Sequence, residues 1–210
     1  MTLVFATNNR HKLEEARQLL PSVYVVLSLS DIGFTEEIDE TGGTLEENSL
    51  LKARSVAHWL QKHPFRHPVD YIFADDTGLE VEVLGNQPGV RTARYAGEEA
   101  DDARNRQKLL QEMDGLPREK RRARFRTVVT LIPAHDMHDD NLPCRQVEGT
   151  VGGTIATEEK GTGGFGYDSL FIPDEYPCRF AELTSEQKNA ISHRGRAIRN
   201  LLPLLTVNKS

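Results

Sequence analysis

Two acid–Thr–Gly triplets give the first indication of chemistry: Glu40-Thr41-Gly42, and Asp76-Thr77-Gly78 with Asp75 directly before it. Carboxylates near strand ends and loops are the donor type that holds Mg²⁺ beside phosphates, generally one or two of them with several waters. A carboxylate beside such a metal also suits the role of base towards an attacking water. Asp, Thr and Gly favour turns as well, so turn formation is the plain alternative for both triplets.

Other stretches add complementary groups. TNNRHK (7–12) follows the apolar run LVFA and opens an amphipathic segment. A strand-to-helix junction presents free amides and the positive helix end, a seat for phosphate, and Lys12 adds a point charge. The stretch lacks the GxxxxGK[ST] spacing of a P-loop. GTGGFGYD (161–168) packs four glycines, two rings and a carboxylate into eight residues. It reads as a ligand loop, amides facing an anion and a ring facing something flat, or as a hairpin whose rings cap the core. In EQKNAISHRG (186–195), Lys188, His193 and Arg194 supply donors. If Ser192 caps a helix, His193 and Arg194 fall in its first turn; the alternative is solvent-facing cations.

Several signals are weaker. DTG also occurs in aspartic proteases, but their chemistry needs two aspartates sharing a proton, and the second triplet here supplies Glu. REKRRARFR (118–126) reads as a solvated helix-to-strand connection more readily than as a nucleic-acid contact. His135, Asp136, His138, Asp139 and Asp140 lie between prolines and read as an exposed hairpin tip rather than a metal site.

The elements that must position these groups alternate. Strands are expected at 3–6, 23–27, 71–74 and 79–84, with helices after residue 12, from about 45 to 63 and over 100–113. Residues 123–132 and 144–157 suggest antiparallel strands, and 184–205 is mostly helix, with Thr184 and Gln187 as a capping box. Such interleaving implies a mixed, twisted sheet flanked by helices, an α/β fold. The 210 residues suffice for one domain, or a two-lobed one. With 26 Lys+Arg against 32 Asp+Glu, a net charge of −6 argues against a nucleic-acid binder. Cys144 and Cys178 have no CxxC spacing, and no apolar stretch reaches membrane-spanning length, so a cytoplasmic protein is expected.

Taken together, ATNNRHK, ETGGTLEENSLLKA, FADDTGLEV, PGVRTARYAG, GTGGFGYD and LTSEQKNAISHRGRA resemble, in order, the motifs of the inosine triphosphate pyrophosphatase family, also called HAM1-like. The resemblance spans residues 6–197. It implies one two-lobed α/β domain over 1–210, an active-site cleft between the lobes, a homodimer and a requirement for Mg²⁺. The implied reaction converts ITP, dITP or XTP to the monophosphate and pyrophosphate, by water attack at the α-phosphorus. Carried over position by position, it makes Thr7, Asn8, Asn9, Arg10, His11 and Lys12 the triphosphate turn, with Lys52 a further substrate contact. Glu40 and Asp76 become metal ligands, and Asp76 also the proton acceptor. Thr77 binds substrate; Phe165, Gly166, Tyr167 and Asp168 hold base and sugar; Lys188 contacts nucleotide; His193 and Arg194 read the purine edge. The sequence departs from the family pattern at Asn8, where many members have Gly, at Thr77 (Ser) and at Ser169 (Pro). A related pyrophosphatase for other modified nucleotides, and a nucleotide-binding module without turnover, are the alternatives.

Overall fold

Strand β1 (Thr2–Phe5) is buried on both faces, and its alternation sorts the core: Val4 joins one apolar cluster, Leu3 and Phe5 another. The computed structural model describes residues 1–134 and 143–205. These divide into two compact units, unit 1 from Met1–Asp76, Val128–Glu148 and Ala197–Ser210, and unit 2 from Thr77–Thr127 and Gly149–Arg196.

In unit 1, β1 pairs in parallel with β2 (Val25–Leu27) and with the first part of β3 (Tyr71–Val81). Helix α1 (Arg10–Leu19) packs Ala16 against the Leu3–Phe5 side, where Phe5 and Phe73 stack with centroids 4.3 Å apart. Helix α2 (Leu45–Lys62) covers the opposite side with Ala53, Val56, Ala57 and Leu60. A complete capping box starts α2: Glu47 N–H donates to Thr44 Oγ1, and the Glu47 carboxylate takes the Thr44 N–H. Near its end, Trp59 stacks on His63 with centroids 4.4 Å apart and meets Phe34 edge-on at 5.5 Å.

Unit 2 has its own cluster, with Leu79, Val81, Leu109, Val151, Phe171 and Phe180. Here β3 pairs antiparallel with β4 (Gln87–Gly89), and β6 (Arg145–Ile155) with β7 (Phe171–Pro173). Helix α3 (Asp102–Glu112) supplies Leu109, and α4 (Ser185–Ile191) begins at the expected Thr184–Gln187 capping box. With β5 (Arg122–Pro133), the strands form a seven-stranded sheet in the order β2-β1-β3-β5-β6-β7, β4 pairing with β3. Parallel and antiparallel pairs together make it the mixed sheet expected. Helix α5 (His193–Leu201) begins directly after Ser192, whose Oγ accepts from Gly195 N–H as a capping side chain does.

Three readings of the sequence need correction. The expected strands at 71–74 and 79–84 are one strand, β3, running unbroken through Asp75-Asp76-Thr77-Gly78. Turn propensity loses there to pairing and burial on both sides. The expected strand then stops at Val81, and Glu82–Leu84 is a 3₁₀ turn. Within REKRRARFR, Arg121 is 3% exposed rather than solvated. Its guanidinium donates to the carbonyls of Met113, Ile155 and Ala156 at 2.6, 2.7 and 2.8 Å. The expectation for His135, Asp136, His138, Asp139 and Asp140 falls outside the described residues.

Candidate functional site

Because β3 continues through the acidic pair, Asp75 and Asp76 project to opposite faces of one strand. Each face carries a different helix, and each helix supplies a lysine. Lys12 of α1 donates to Asp75 Oδ1 at 2.9 Å, and Lys52 of α2 donates to Asp76 Oδ1 at 3.0 Å. Lys52 Nζ also lies 3.3 Å from Glu40 Oε1, so one ammonium joins the carboxylates of both triplets. Asp75 and Asp76 are buried, and burial pushes the Asp76 carboxyl above the usual range despite Lys52 and Lys12 nearby. Burial works against the charge on Lys52, but Asp76, Glu40 and Asp75 together hold its ammonium above the ordinary lysine value.

The sequence reading missed Asn48. It is 2% exposed, its Oδ1 takes the Gly42 N–H at 2.8 Å, and its Nδ2 lies 3.4 Å from Asp76 Oδ2. The side chain therefore ties the Glu40 triplet to the Asp76 carboxylate. Its position four residues before Lys52, on the same helix face, is the signal that could have found it.

The turn before α1 is organised by its own side chains. Asn9 N–H donates to Thr7 Oγ1 at 3.2 Å, and Asn9 Oδ1 caps the helix by accepting Lys12 N–H at 3.1 Å. Asn8, Arg10 and His11 are exposed. Lys12 thus stands with the carboxylates, while Asn8, Arg10 and His11 form the outer edge of the turn.

Unit 2 gathers a second group. The Asp168 carboxylate accepts Phe165 N–H at 2.9 Å and Lys188 Nζ at 2.7 Å through the same oxygen. Gly164 has φ +71°, and a Cβ there would stand 2.0 Å from that oxygen, so only glycine fits. Lys188 Nζ lies 5.1 Å, and Arg194 Cζ 5.7 Å, from the Phe165 ring centroid, within cation–π reach. Arg194 is buried and donates to Thr77 Oγ1 at 3.3 Å; Thr77 Oγ1 is 2.7 Å from Thr127 Oγ1. Thr127, also missed by the sequence reading, had no motif to mark it.

Two predicted site residues are packed into the core of unit 2. Tyr167 is 2% exposed, its hydroxyl donates to Thr92 O at 2.9 Å, and burial raises its pKa. The His193 ring stacks on Phe125 with centroids 4.7 Å apart. Both stand next to residues of the group, Asp168 and Arg194, and their side chains brace it from the core side.

The two groups offer different chemistry. Buried carboxylates with two lysines suit phosphate and metal, whereas donors around an aromatic ring suit a flat heterocycle. The model of the Ham1 family matches residues 3–204. A dITP/XTP pyrophosphatase of Bacillus subtilis is 45% identical over 204 residues, covering 96% of each chain. One of Porphyromonas gingivalis is 46% identical over 207 residues, covering 99% of this chain and 98% of that one. The solved Ham1 protein of Staphylococcus aureus superposes with a TM-score of 0.80 at 35% identity, covering 98% of each.

Proposed function

Since this chain belongs to the Ham1 family, we propose that it is a nucleoside triphosphate pyrophosphatase cleansing the nucleotide pool of dITP, XTP and ITP. The products are the monophosphate and pyrophosphate. The observation that carries the reading furthest is Lys52 Nζ held at once by Glu40 and Asp76. It brings both acidic triplets to one point, beside a second lysine–aspartate pair, Lys12–Asp75.

Glu40 and Asp76 fit Mg²⁺. Their donors are hard oxygens, and they already converge on a single cation, the Lys52 ammonium. When bound, Mg²⁺ would neutralise charge on the phosphate oxygens. Lys12 and the first-turn amides of α1 take the phosphates, Lys52 adds a second cation, and Asp76 accepts the proton of the attacking water at a carboxylate oxygen. Positioning and charge neutralisation carry most of the rate, because phosphoryl-type transfer leaves little covalent work for the protein.

In unit 2, Phe165 offers a stacking face, and Lys188 and Arg194 offer donors for the oxygens of a 6-oxopurine. A homodimer and a cytoplasmic location belong to the same reading. A panel of nucleoside triphosphates with Mg²⁺, scored for pyrophosphate against orthophosphate, tests it. Pyrophosphate from dITP and XTP, with solvent oxygen appearing in the monophosphate, is the expected result. Orthophosphate as the main product, labelled from solvent, would end the proposal.

A further inference from the structure

Helix α3 holds both backbone groups of a single glycine in the 161–168 loop. Asp102 Oδ2 accepts the Gly166 N–H at 2.9 Å, and Arg106 Nη1 donates to the Gly166 carbonyl at 2.9 Å. Asp102 and Arg106 are four residues apart, one turn on the same helix face, so both reach the same glycine, one through each of its flanking peptide groups. Asp101, not Asp102, caps the helix, accepting Arg104 N–H at 3.0 Å. Asp102 therefore has no capping duty.

The grip continues outward. Arg106 Nε donates to Glu159 Oε2 at 2.7 Å, and Ser169 Oγ donates to the same oxygen at 2.8 Å. Ser169 is a position where this sequence departs from the proline of the family pattern, and here its hydroxyl joins the chain of contacts. A cavity of about 230 Å³ is lined by Arg106, Glu159, Phe165, Gly166, Asp168 and Ser169, so Arg106 and the ring share one concave surface.

We propose that Asp102 and Arg106 are positioning residues that fix the two peptide groups flanking Gly166 and thereby hold Phe165 and Asp168 in the arrangement that receives the base. The inference rests on the reading of 161–168 as the base loop. Gly166, at φ +61°, has more conformational freedom to lose than any other residue type. Holding both its N–H and its C=O before substrate arrives lowers the ordering cost of binding, which is how preorganisation raises affinity. A restraint of this kind acts on substrate capture and not on the water attack at the phosphates. Since Asp102 is exposed, its contact contributes little to global stability, while the half-buried Arg106 pairs with a Glu159 that reaches solvent.

The experiment is steady-state kinetics with dITP and Mg²⁺, alongside thermal unfolding, for Asp102→Ala, Asp102→Asn, Arg106→Ala and Arg106→Lys. Asp102→Ala and Arg106→Ala should each raise KM about five- to tenfold with kcat little changed and Tm near wild type. Asp102→Asn keeps an oxygen acceptor for the Gly166 N–H and should restore KM. Arg106→Lys cannot serve Glu159 and Gly166 together, and should show the raised KM even where Arg106→Ala fails to fold. The double alanine variant should cost less than the product of the single effects, since both residues restrain the backbone of one glycine. Unchanged KM in Asp102→Ala and Arg106→Lys would overturn the proposal, as would losses that follow Tm and are not rescued by Asp102→Asn. A wild-type protein inert towards the whole triphosphate panel is a different result: it would overturn the base-loop reading, and the clamp with it.

Discussion

Arg194 Nη2 lies 3.3 Å from Thr77 Oγ1, and because arginine only donates, the threonine oxygen is the acceptor. The same guanidinium stands 5.7 Å from the centroid of the Phe165 ring, in reach of whatever stacks there. Inosine and xanthine present a carbonyl at the purine 6-position, which a donor satisfies, whereas adenine presents an amino group. Mismatch of a buried donor costs about 1–3 kcal/mol, so Arg194→Ala should narrow the ITP-to-ATP ratio of kcat/KM by about tenfold to a hundredfold. Lys12→Ala should depress both substrates together. An unchanged ratio in Arg194→Ala, with an altered one in Lys12→Ala, would mean the base and phosphate ends are assigned in reverse.

Asp76→Asn should keep the fold, since Lys52 retains Glu40 and the asparagine stays polar in the same volume. Turnover should fall by at least about a hundredfold, the lower range for loss of a positioned base. Circular dichroism and a thermal melt beside the pyrophosphate assay separate this from unfolding. A well-folded variant with near-normal turnover would remove Asp76 from the chemistry.

Glu182 offers a pH prediction away from the chemistry. Its carboxylate accepts Arg179 N–H at 3.0 Å and sits 2.9 Å from Lys160 Nζ, and these contacts, the backbone one first, hold its pKa down to about 2 from 4.5. A depressed carboxyl stabilises the fold above its unfolded pKa and loses that contribution as pH falls through the folded one. Wild type should therefore be more stable than Glu182→Gln at pH 6, with the difference shrinking between pH 4.5 and 2. Denaturant titrations across that window measure it. A constant gap would show that the charge is not what Glu182 contributes.

Arg121→Met should be among the costlier substitutions outside the two groups. It takes the guanidinium donors from the carbonyls of Ile155 and Ala156, and leaves the Met113 carbonyl with the Leu116 N–H at 3.3 Å. Orphaned buried acceptors cost about 1–3 kcal/mol each, and even partial relief by water leaves a loss of about 3 kcal/mol. Chemical denaturation is the readout, and a loss under about 1 kcal/mol would mean the methionine side chain packs as well as the guanidinium bonds.

Helices were legible where periodicity and caps agreed: the expected Thr184–Gln187 capping box stands at the start of α4. The acidic pair stood out in the sequence as a candidate for chemistry but not as part of a strand. Asp-Asp-Thr-Gly has the composition of a turn, and only the partners of β3 make it a strand, which no local pattern contains. That continuity sends Asp75 and Asp76 to different lysines. Asn48, Thr127 and Arg121 were missed for a related reason, although the i to i+4 spacing of Asn48 and Lys52 was there to read. Each works by reaching residues distant in sequence, such as Asp76 from Asn48 or Ile155 from Arg121. Tyr167 and His193 were visible as motif residues, but their burial against Thr92 and Phe125 depends on packing that composition does not encode.

Trp59 is the single tryptophan of the chain, and its indole meets the edge of Phe34, in the irregular segment that leads to Glu40. The protein's indole fluorescence thus comes from one place. Its emission wavelength and lifetime report how firmly that segment is seated against α2, and the segment carries one of the two acidic triplets. Titrating nucleotide or divalent cation while watching this one fluorophore would make the settling of Glu40 optically visible, without a label and without turnover.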